Sequence, residues 1–138
     1  MIRKVLAAYD ASEQSEKAFA FALEIAEKFS AELLVLSVVR LPEPPVDVET
    51  EAYAESGQEY YEKYFAALRD KASAVGITPR FEVRVGHPAE QIVHMASEED
   101  VDLIAMGHRG KTIVARWLLG SVSKRVLSYA HCTVAIVR

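Results

Sequence analysis

The sequence has little cysteine, no long apolar run, and a final quarter without acidic residues. Cys132 is its one cysteine, so the chain cannot close an internal disulfide, as is typical of proteins in a reducing compartment. The longest strongly apolar run, Leu33–Val39, is far shorter than the roughly 20 residues that span a membrane. The N-terminus lacks the apolar core and cleavage site of a secretory signal. We therefore expect a cytoplasmic protein without membrane insertion.

Acidic residues end at Asp102, and this divides the charge of the chain. The formal net charge is −4, yet residues 103–138 carry six basic residues and no acid. Residues 1–102 carry 10 basic and 20 acidic residues. The acidic majority disfavours nucleic acid as a partner. The acid-free final quarter favours binding of an anion there.

Short apolar runs alternate with amphipathic segments along the whole sequence. This alternation predicts one α/β domain over residues 1–138, a doubly wound five-stranded parallel sheet with helices on both faces. Strands are predicted at Lys4–Tyr9, Leu33–Val39, Arg80–Val85, Asp102–Met106 and Thr133–Val137.

Four helices are predicted between these strands from apolar residues at helical spacing. Ser12 or Asp10 can cap the first helix, and Gly76 ends the second, whose apolar face includes Val75. Pro88 suits the first turn of the third helix, and the fourth opens at Gly120-Ser121. The proline-rich, acidic segment Leu41–Thr50 is predicted to be a mobile loop. The tyrosines of the second helix fit the core or an interface better than a cofactor site.

Ligands of doubly wound sheets bind beyond the carboxyl ends of the strands, where the strand order reverses. Residues that directly follow a predicted strand are therefore candidates for binding. They are Asp10, Val38–Val39, Gly86–His87 and Met106–Gly110.

Three of the six glycines, Gly107, Gly110 and Gly120, form one spaced pattern in the acid-free segment. Gly107 follows a strand, and Gly120-Ser121 opens a helix whose N-terminus offers N–H donors and a partial positive charge. Ser121 and Ser123 add hydroxyls. Neither a P-loop nor a dinucleotide fingerprint is present. Phosphate binding and plain turns both fit the glycine spacing alone.

The ordered motifs resemble the ATP-binding branch of the universal stress protein family over nearly the whole chain. Its pattern G-x2-G-x9-G-[S/T] is matched by Gly107, Gly110, Gly120 and Ser121, and segments 5–12, 86–92 and 102–107 resemble three of its strand regions. The resemblance implies a Rossmann-like, adenine nucleotide alpha hydrolase-like fold. It also implies a homodimer paired through the last strand, residues 133–137, that binds ATP, or alternatively AMP or ADP, with or without magnesium.

The resemblance also implies roles for single residues. Asp10 would bond the ribose, the backbone of Val38 would meet the adenine edge, and Met106 and Gly107 would lie along the sugar and phosphates. The fourth helix and its approach would hold the phosphate chain, and Arg109 is added as a phosphate candidate for its charge, beside the alternative of a solvated side chain. The phosphate residues are Gly110, Gly120, Ser121, Val122 and Ser123. Asp10 has the alternative of serving only as a helix cap.

Three functions remain open at this point. The favoured one is a nucleotide-dependent regulatory protein of the stress response that acts on a protein partner or on its own oligomeric state. The alternatives are a slow ATPase or phosphoryl-transfer enzyme and a protein that works by interaction without nucleotide. Phosphoryl transfer needs a metal-binding acid, and Asp10 is the main candidate near the glycine pattern. The four histidines show no metal-ligand spacing, so no metal site is predicted. No catalytic residue is predicted either.

Overall fold

The computed structural model describes residues 1–41, 50–108 and 119–138. Its described strands form one parallel sheet. The predicted strands are confirmed to within one residue at each end. They are β1 Lys4–Ala8, β2 Glu32–Val39, β3 Arg80–Val85, β4 Leu103–Gly107 and β5 Thr133–Val137. Across the sheet the order is β3-β2-β1-β4-β5, with every pairing parallel.

The strand order reverses beside β1. Val5 of β1 lies opposite Leu33 of β2 on one side and Leu103 of β4 on the other. β2 and β3 therefore lie on one side of β1, and β4 and β5 lie on the other side. The carboxyl ends of β1 and β4 consequently border the reversal point, where such sheets bind ligands.

Four helices connect the strands: α1 Glu13–Phe29, α2 Thr50–Ser73, α3 Pro88–Glu98 and α4 Ser121–Tyr129. Ser12 is the cap of α1, since its hydroxyl accepts the N–H of Ser15 at 3.1 Å. α2 ends before Gly76, whose φ of +76° suits a residue without Cβ. Within the described ranges, no helix has both the length and the apolar composition that crossing a membrane requires.

Helices cover both faces of the sheet, which confirms the doubly wound prediction. Side chains such as Val5 and Ala7 pack against α1 and α2, with Phe65 at the centre of that core. The alternate side chains, such as Leu6, pack against α3 and α4, where Met95 is fully buried. Strands buried on both faces need apolar residues at every position, which explains the continuous runs in the sequence.

α2 ends earlier than the apolar periodicity of the sequence predicts. Val75 lies beyond the end of α2 and is 39% exposed, so its assignment to the apolar face was wrong. The reason is that the helix has already unwound ahead of Gly76. Of the predicted loop Leu41–Thr50, residues 42–49 lie outside the described residues, and Thr50 already belongs to α2.

Candidate functional site

A cleft of about 730 Å³ opens at the carboxyl ends of β1, β2 and β4. This is the position that the strand order predicts for a ligand. The volume lies within the range of about 300–1,000 Å³ that is common for small-molecule sites. α2 contributes Ser56 and Gly57 to one wall, and α3 and α4 contribute Ile92 and Val122 to the other.

The structure brings together eight of the ten residues predicted to contact a nucleotide. All eight line this one cleft: Asp10, Val38, Met106, Gly107, Gly120, Ser121, Val122 and Ser123. The other two, Arg109 and Gly110, lie outside the described residues. Val39 also lines the cleft, whereas the candidates Gly86, His87 and His108 are not among its lining residues.

Asp10 stands at the start of a tightly bonded turn between β1 and α1. Its Oδ1 accepts the N–H of Ser12 at 2.9 Å, and its own N–H donates to the hydroxyl of Ser15 at 3.3 Å. Ala11 between them has a φ of +66°, which is uncommon for a residue with a Cβ. Ser12 supplies the helix cap, so Asp10 is free of that role and lies half-buried in the cleft wall.

Tyr9, the residue before Asp10, forms hydrogen bonds through both its backbone and its side chain. The N–H of Tyr9 donates to the carbonyl of Leu36, and the buried hydroxyl of Ser37 donates to the carbonyl of Tyr9 at 2.7 Å. The phenol of Tyr9 donates to Oε1 of Glu16 at 2.5 Å. Burial and that bond raise the pKa of Tyr9 well above its usual range. The end of β1 is therefore a fixed support for Asp10.

The backbone of Val38 turns toward the space beyond the end of β1. Leu36 accepts from Tyr9 on the β1 side, and Val39 accepts from Gly86 on the β3 side. Successive residues of a strand direct their backbone polar groups to opposite sides in the plane of the sheet, so Val38 points the same way as Leu36. Since β1 ends at Ala8, the N–H and carbonyl of Val38 border the cleft.

The N-terminus of α4 faces the same cleft. Gly120 is its N-cap without a side-chain capping bond, and the first intrahelical bond runs from Lys124 N–H to Gly120 O at 3.0 Å. The N–H groups of residues 121–123 precede that bond and are the usual donors of a helix start. The buried hydroxyl of Ser123 donates to the carbonyls of Gly107 and His108 at 3.1 and 3.3 Å. That hydroxyl therefore ties α4 to β4, and the backbone N–H is the donor that Ser123 offers to a ligand.

Sequence reasoning missed Arg40, Tyr60 and Tyr61, all of which line the cleft. Arg40 directly follows β2. It would have been a candidate if the residues considered at the end of the second predicted strand had extended one position beyond Val39. Tyr61 is 7% exposed, as a core residue should be, but it also borders the cleft. Burial raises its pKa to about 12, and the charge of Asp10, which lines the same cleft, contributes to that rise.

The described lining carries few charges. Asp10 is its one carboxylate and Arg40 its one cation, and the remaining donors are backbone N–H groups and hydroxyls. In residues 1–41, 50–108 and 119–138, no three His, Cys, Asp or Glu side chains come together in a way that would hold a metal ion. Neutral donors at a helix start suit a phosphate group.

Comparison with known proteins agrees with this architecture. A universal stress protein of Methanocaldococcus jannaschii is 36% identical over 145 residues, which cover 100% of this chain and 83% of that protein. The structure of universal stress protein UspA from Lactobacillus plantarum has the same fold, with a TM-score of 0.88 at 22% identity over 99% of this chain and 98% of that one. A universal stress protein in complex with cAMP gives a TM-score of 0.77 at 26% identity, covering 99% and 97% of the two chains. The model of the universal stress protein family matches residues 1–138, and this chain belongs to that family.

Proposed function

We propose that this protein binds an adenine nucleotide, ATP in the first instance and AMP or ADP as alternatives, and that the bound nucleotide controls its oligomeric state or a protein partner. One observation carries the proposal: residues from four separate parts of the sequence, Asp10, Val38, Met106–Gly107 and Gly120–Ser123, converge on one cleft at the point of strand reversal.

The donor set suits each part of a nucleotide in turn. The start of α4 offers N–H groups for phosphates, as helix starts commonly do. Asp10, the carboxylate of the described lining, suits the hydroxyls of a ribose. The backbone of Val38 offers one donor and one acceptor, which is the pattern that an adenine edge requires. The relative at 26% identity that is described in complex with cAMP gives independent support for an adenine nucleotide.

Gly120→Val tests the phosphate end of the cleft. Gly120 has φ −64° and ψ 156°, a conformation open to any residue, so valine can take it without backbone strain. Its bulk stands where a phosphate would approach the helix start. We expect calorimetric ATP binding to fall at least tenfold in a folded variant.

Ala130→Val is the matched control for that substitution. Ala130 caps the other end of α4 at φ −68° and ψ 141° and does not line the cleft. We expect it to bind ATP like the wild type. Equal ATP binding by wild type and Gly120→Val would refute the proposed phosphate site, and no heat from the wild type with ATP and magnesium would refute the ligand.

Binding without rapid turnover is the form of the proposal that the lining favours. Phosphoryl transfer requires groups that hold a metal and orient the attacking nucleophile. Asp10 is the carboxylate that the described lining offers, and one of its oxygens already accepts the N–H of Ser12. A turnover near the ordinary enzyme rate of about 10 per second would replace this proposal with the phosphoryl-transfer alternative.

We also propose a homodimer that pairs β5 with its copy. β5 ends the sheet, and four of its five residues are half-buried rather than buried, although they are apolar. Val137 accepts the N–H of His108 from β4, so the alternate residues Val134 and Ile136 direct their backbone groups outward. Among the described residues β5 pairs with β4 alone, and an apolar edge strand of this kind is a site for strand pairing.

Val134→Pro tests the dimer because proline removes an outward N–H and keeps the bonds from β5 to β4. We expect sedimentation to give twice the chain mass for the wild type and the single chain mass for the folded variant. A wild type that sediments as a monomer at micromolar concentration would refute this part of the proposal.

A further inference from the structure

The turn between β1 and α1 contains a closed set of hydrogen bonds around one buried serine. Ser15 is 4% exposed and lies in the first turn of α1. Its hydroxyl accepts the N–H of Asp10 at 3.3 Å and donates to the carbonyl of Ser12 at 2.9 Å. Its own N–H donates to the hydroxyl of Ser12 at 3.1 Å. The N–H of Ser12 in turn donates to Oδ1 of Asp10 at 2.9 Å, which closes the set on the carboxylate.

We infer that Ser15 is a positioning residue, which holds the Asp10 carboxylate against the cleft so that the site selects ribonucleotides over deoxyribonucleotides. The inference rests on the proposed function, since it assigns the sugar that the nucleotide site recognises. It assigns to Ser15 an action through Asp10 and the backbone around it.

The backbone of the turn shows why a positioning group is needed. Ala11 sits between Asp10 and Ser12 at φ +66°, a region that disfavours any residue with a Cβ. A strained residue of this kind persists only where its surroundings fix it. Here the bonds of Ser15 to both flanking residues supply that constraint, since they link Asp10 N–H to Ser12 O through one hydroxyl.

The carboxylate that this turn presents has acceptor capacity to spare. A carboxylate has about four acceptor sites, and the N–H of Ser12 uses one of them. Asp10 is also the carboxylate of the described cleft lining. The adjacent hydroxyls of a ribose can donate to its two oxygens, whereas a deoxyribose offers one hydroxyl fewer. A site built to accept a hydroxyl discriminates against the analogue that lacks it, because the acceptor is then left without a partner.

The test measures ATP and dATP affinity by calorimetry for four proteins: wild type, Ser15→Ala, Asp10→Ala and the double variant. We expect the wild type to bind ATP about tenfold tighter than dATP, the factor that one hydrogen bond to a charged group supplies. Ser15→Ala should bring that ratio below about threefold. In the Asp10→Ala background, the same serine change should leave the ratio unchanged, because a double-mutant cycle isolates action through Asp10.

Two further variants separate positioning from general loss of structure. Ser15→Cys keeps nearly the size of the side chain and replaces the hydroxyl with a weak hydrogen-bonding thiol, so it should show the same loss of selectivity if the alanine variant unfolds. Ser128→Ala removes an exposed hydroxyl of α4 that donates to the carbonyl of Lys124 at 2.9 Å, and this variant should keep the wild-type ratio of ATP to dATP affinity.

The outcomes distinguish this inference from the proposed function. A wild type that binds ATP and dATP equally well, or Ser15 variants that keep the wild-type ratio, would overturn the inference and leave nucleotide binding intact. An equal effect of Ser15→Ala on the ratio of ATP to dATP affinity in the wild-type and Asp10→Ala backgrounds would also overturn the inference. A wild type that binds neither nucleotide would overturn the proposed function and, with it, the inference.

Discussion

Gly57→Ala should destabilise the protein, although alanine is the better helix former. Gly57 lies inside α2, where the helix backbone packs on β2 and β3. A Cβ added there would come well under 3.0 Å from Cγ2 of Val39 and would lie 3.1 Å from Cγ1 of Val83. Valine side chains are stiff at χ1, so the overlap requires a shift of the helix or of the strand.

Two opposing contributions determine how far Gly57→Ala changes the free energy of unfolding. Exchange of glycine for alanine inside a helix contributes about 1 kcal/mol of stability. Overpacking in a close-packed core costs about 1–3 kcal/mol. We therefore expect a net loss of about 1 kcal/mol in the free energy of unfolding, which corresponds to a fall of about 4 °C in Tm for a chain of this size.

Thermal and urea unfolding of the variant provide the assay, and Ala67→Gly is the matched control. Ala67 is exposed on the same helix, so its exchange should cost about 1 kcal/mol from helix propensity alone. Gly57 and Val39 both line the cleft, so the added methyl should also weaken nucleotide binding. A Gly57→Ala protein more stable than the wild type would refute the close packing of α2 on the sheet.

Two predictions concern pH. Asp102 accepts the backbone N–H groups of Arg3 and Lys4 at 2.8 and 3.1 Å, and these bonds lower its pKa from 3.8; its stabilising effect is therefore complete above that value and is lost as the pH falls through the lowered pKa. In urea unfolding, Asp102→Asn should be less stable than the wild type at neutral pH, and this difference in stability should narrow as the pH falls below 3.8. A difference that is the same at every pH would contradict this prediction. Tyr61, with its pKa at about 12, should stabilise the fold fully below pH 10.0 and lose that effect as the pH rises through its folded-state pKa. Absorbance titration, with the step assigned by Tyr61→Phe, should show a lower pKa in Asp10→Asn, and an unchanged pKa would show that the two groups are not close.

The central strands were predictable from sequence because burial on both faces leaves a short, continuous apolar run, whereas β3 alternates polar and apolar residues. Leu33–Val39 is apolar at all but one position, and the structure buries it between the two layers of helices. The helix ends were predictable where a residue has special backbone chemistry, as at Ser12 and Gly76. Val75 failed because periodicity extends an apolar face and carries no information on where the helix unwinds.

The site was predictable where it coincides with the ends of strands and with glycines. Asp10, Val38 and Gly107 all follow from that rule. Tyr60 and Tyr61 could not be predicted in this way, because residues at the same helical spacing can face either the core or the cleft. Which of the two they face depends on where α2 packs on the sheet, and tertiary packing sets that position. The positive charge of the final quarter locates the site only in part, because three of its six cations, Lys124, Arg125 and Arg138, do not line the cleft. The described groups of the lining that suit an anion are backbone N–H groups, hydroxyls and Arg40.

The buried polar residues show how the fold and the cleft depend on each other. In the part of the chain that the structure describes, five polar side chains are buried: Ser12, Ser15, Ser37, His108 and Ser123. All five lie at the carboxyl end of the sheet, and the four serines bond to the backbone at a strand end or at the start of a helix. Irregular backbone that is buried must have its N–H and carbonyl groups paired, and it is at the cleft that the chain leaves its strands. Serine within a helical pattern usually indicates the surface. For that reason Ser15 and Ser37, which support the backbone beside the cleft, could not be identified from the sequence, whereas Ser12 and Ser123 could.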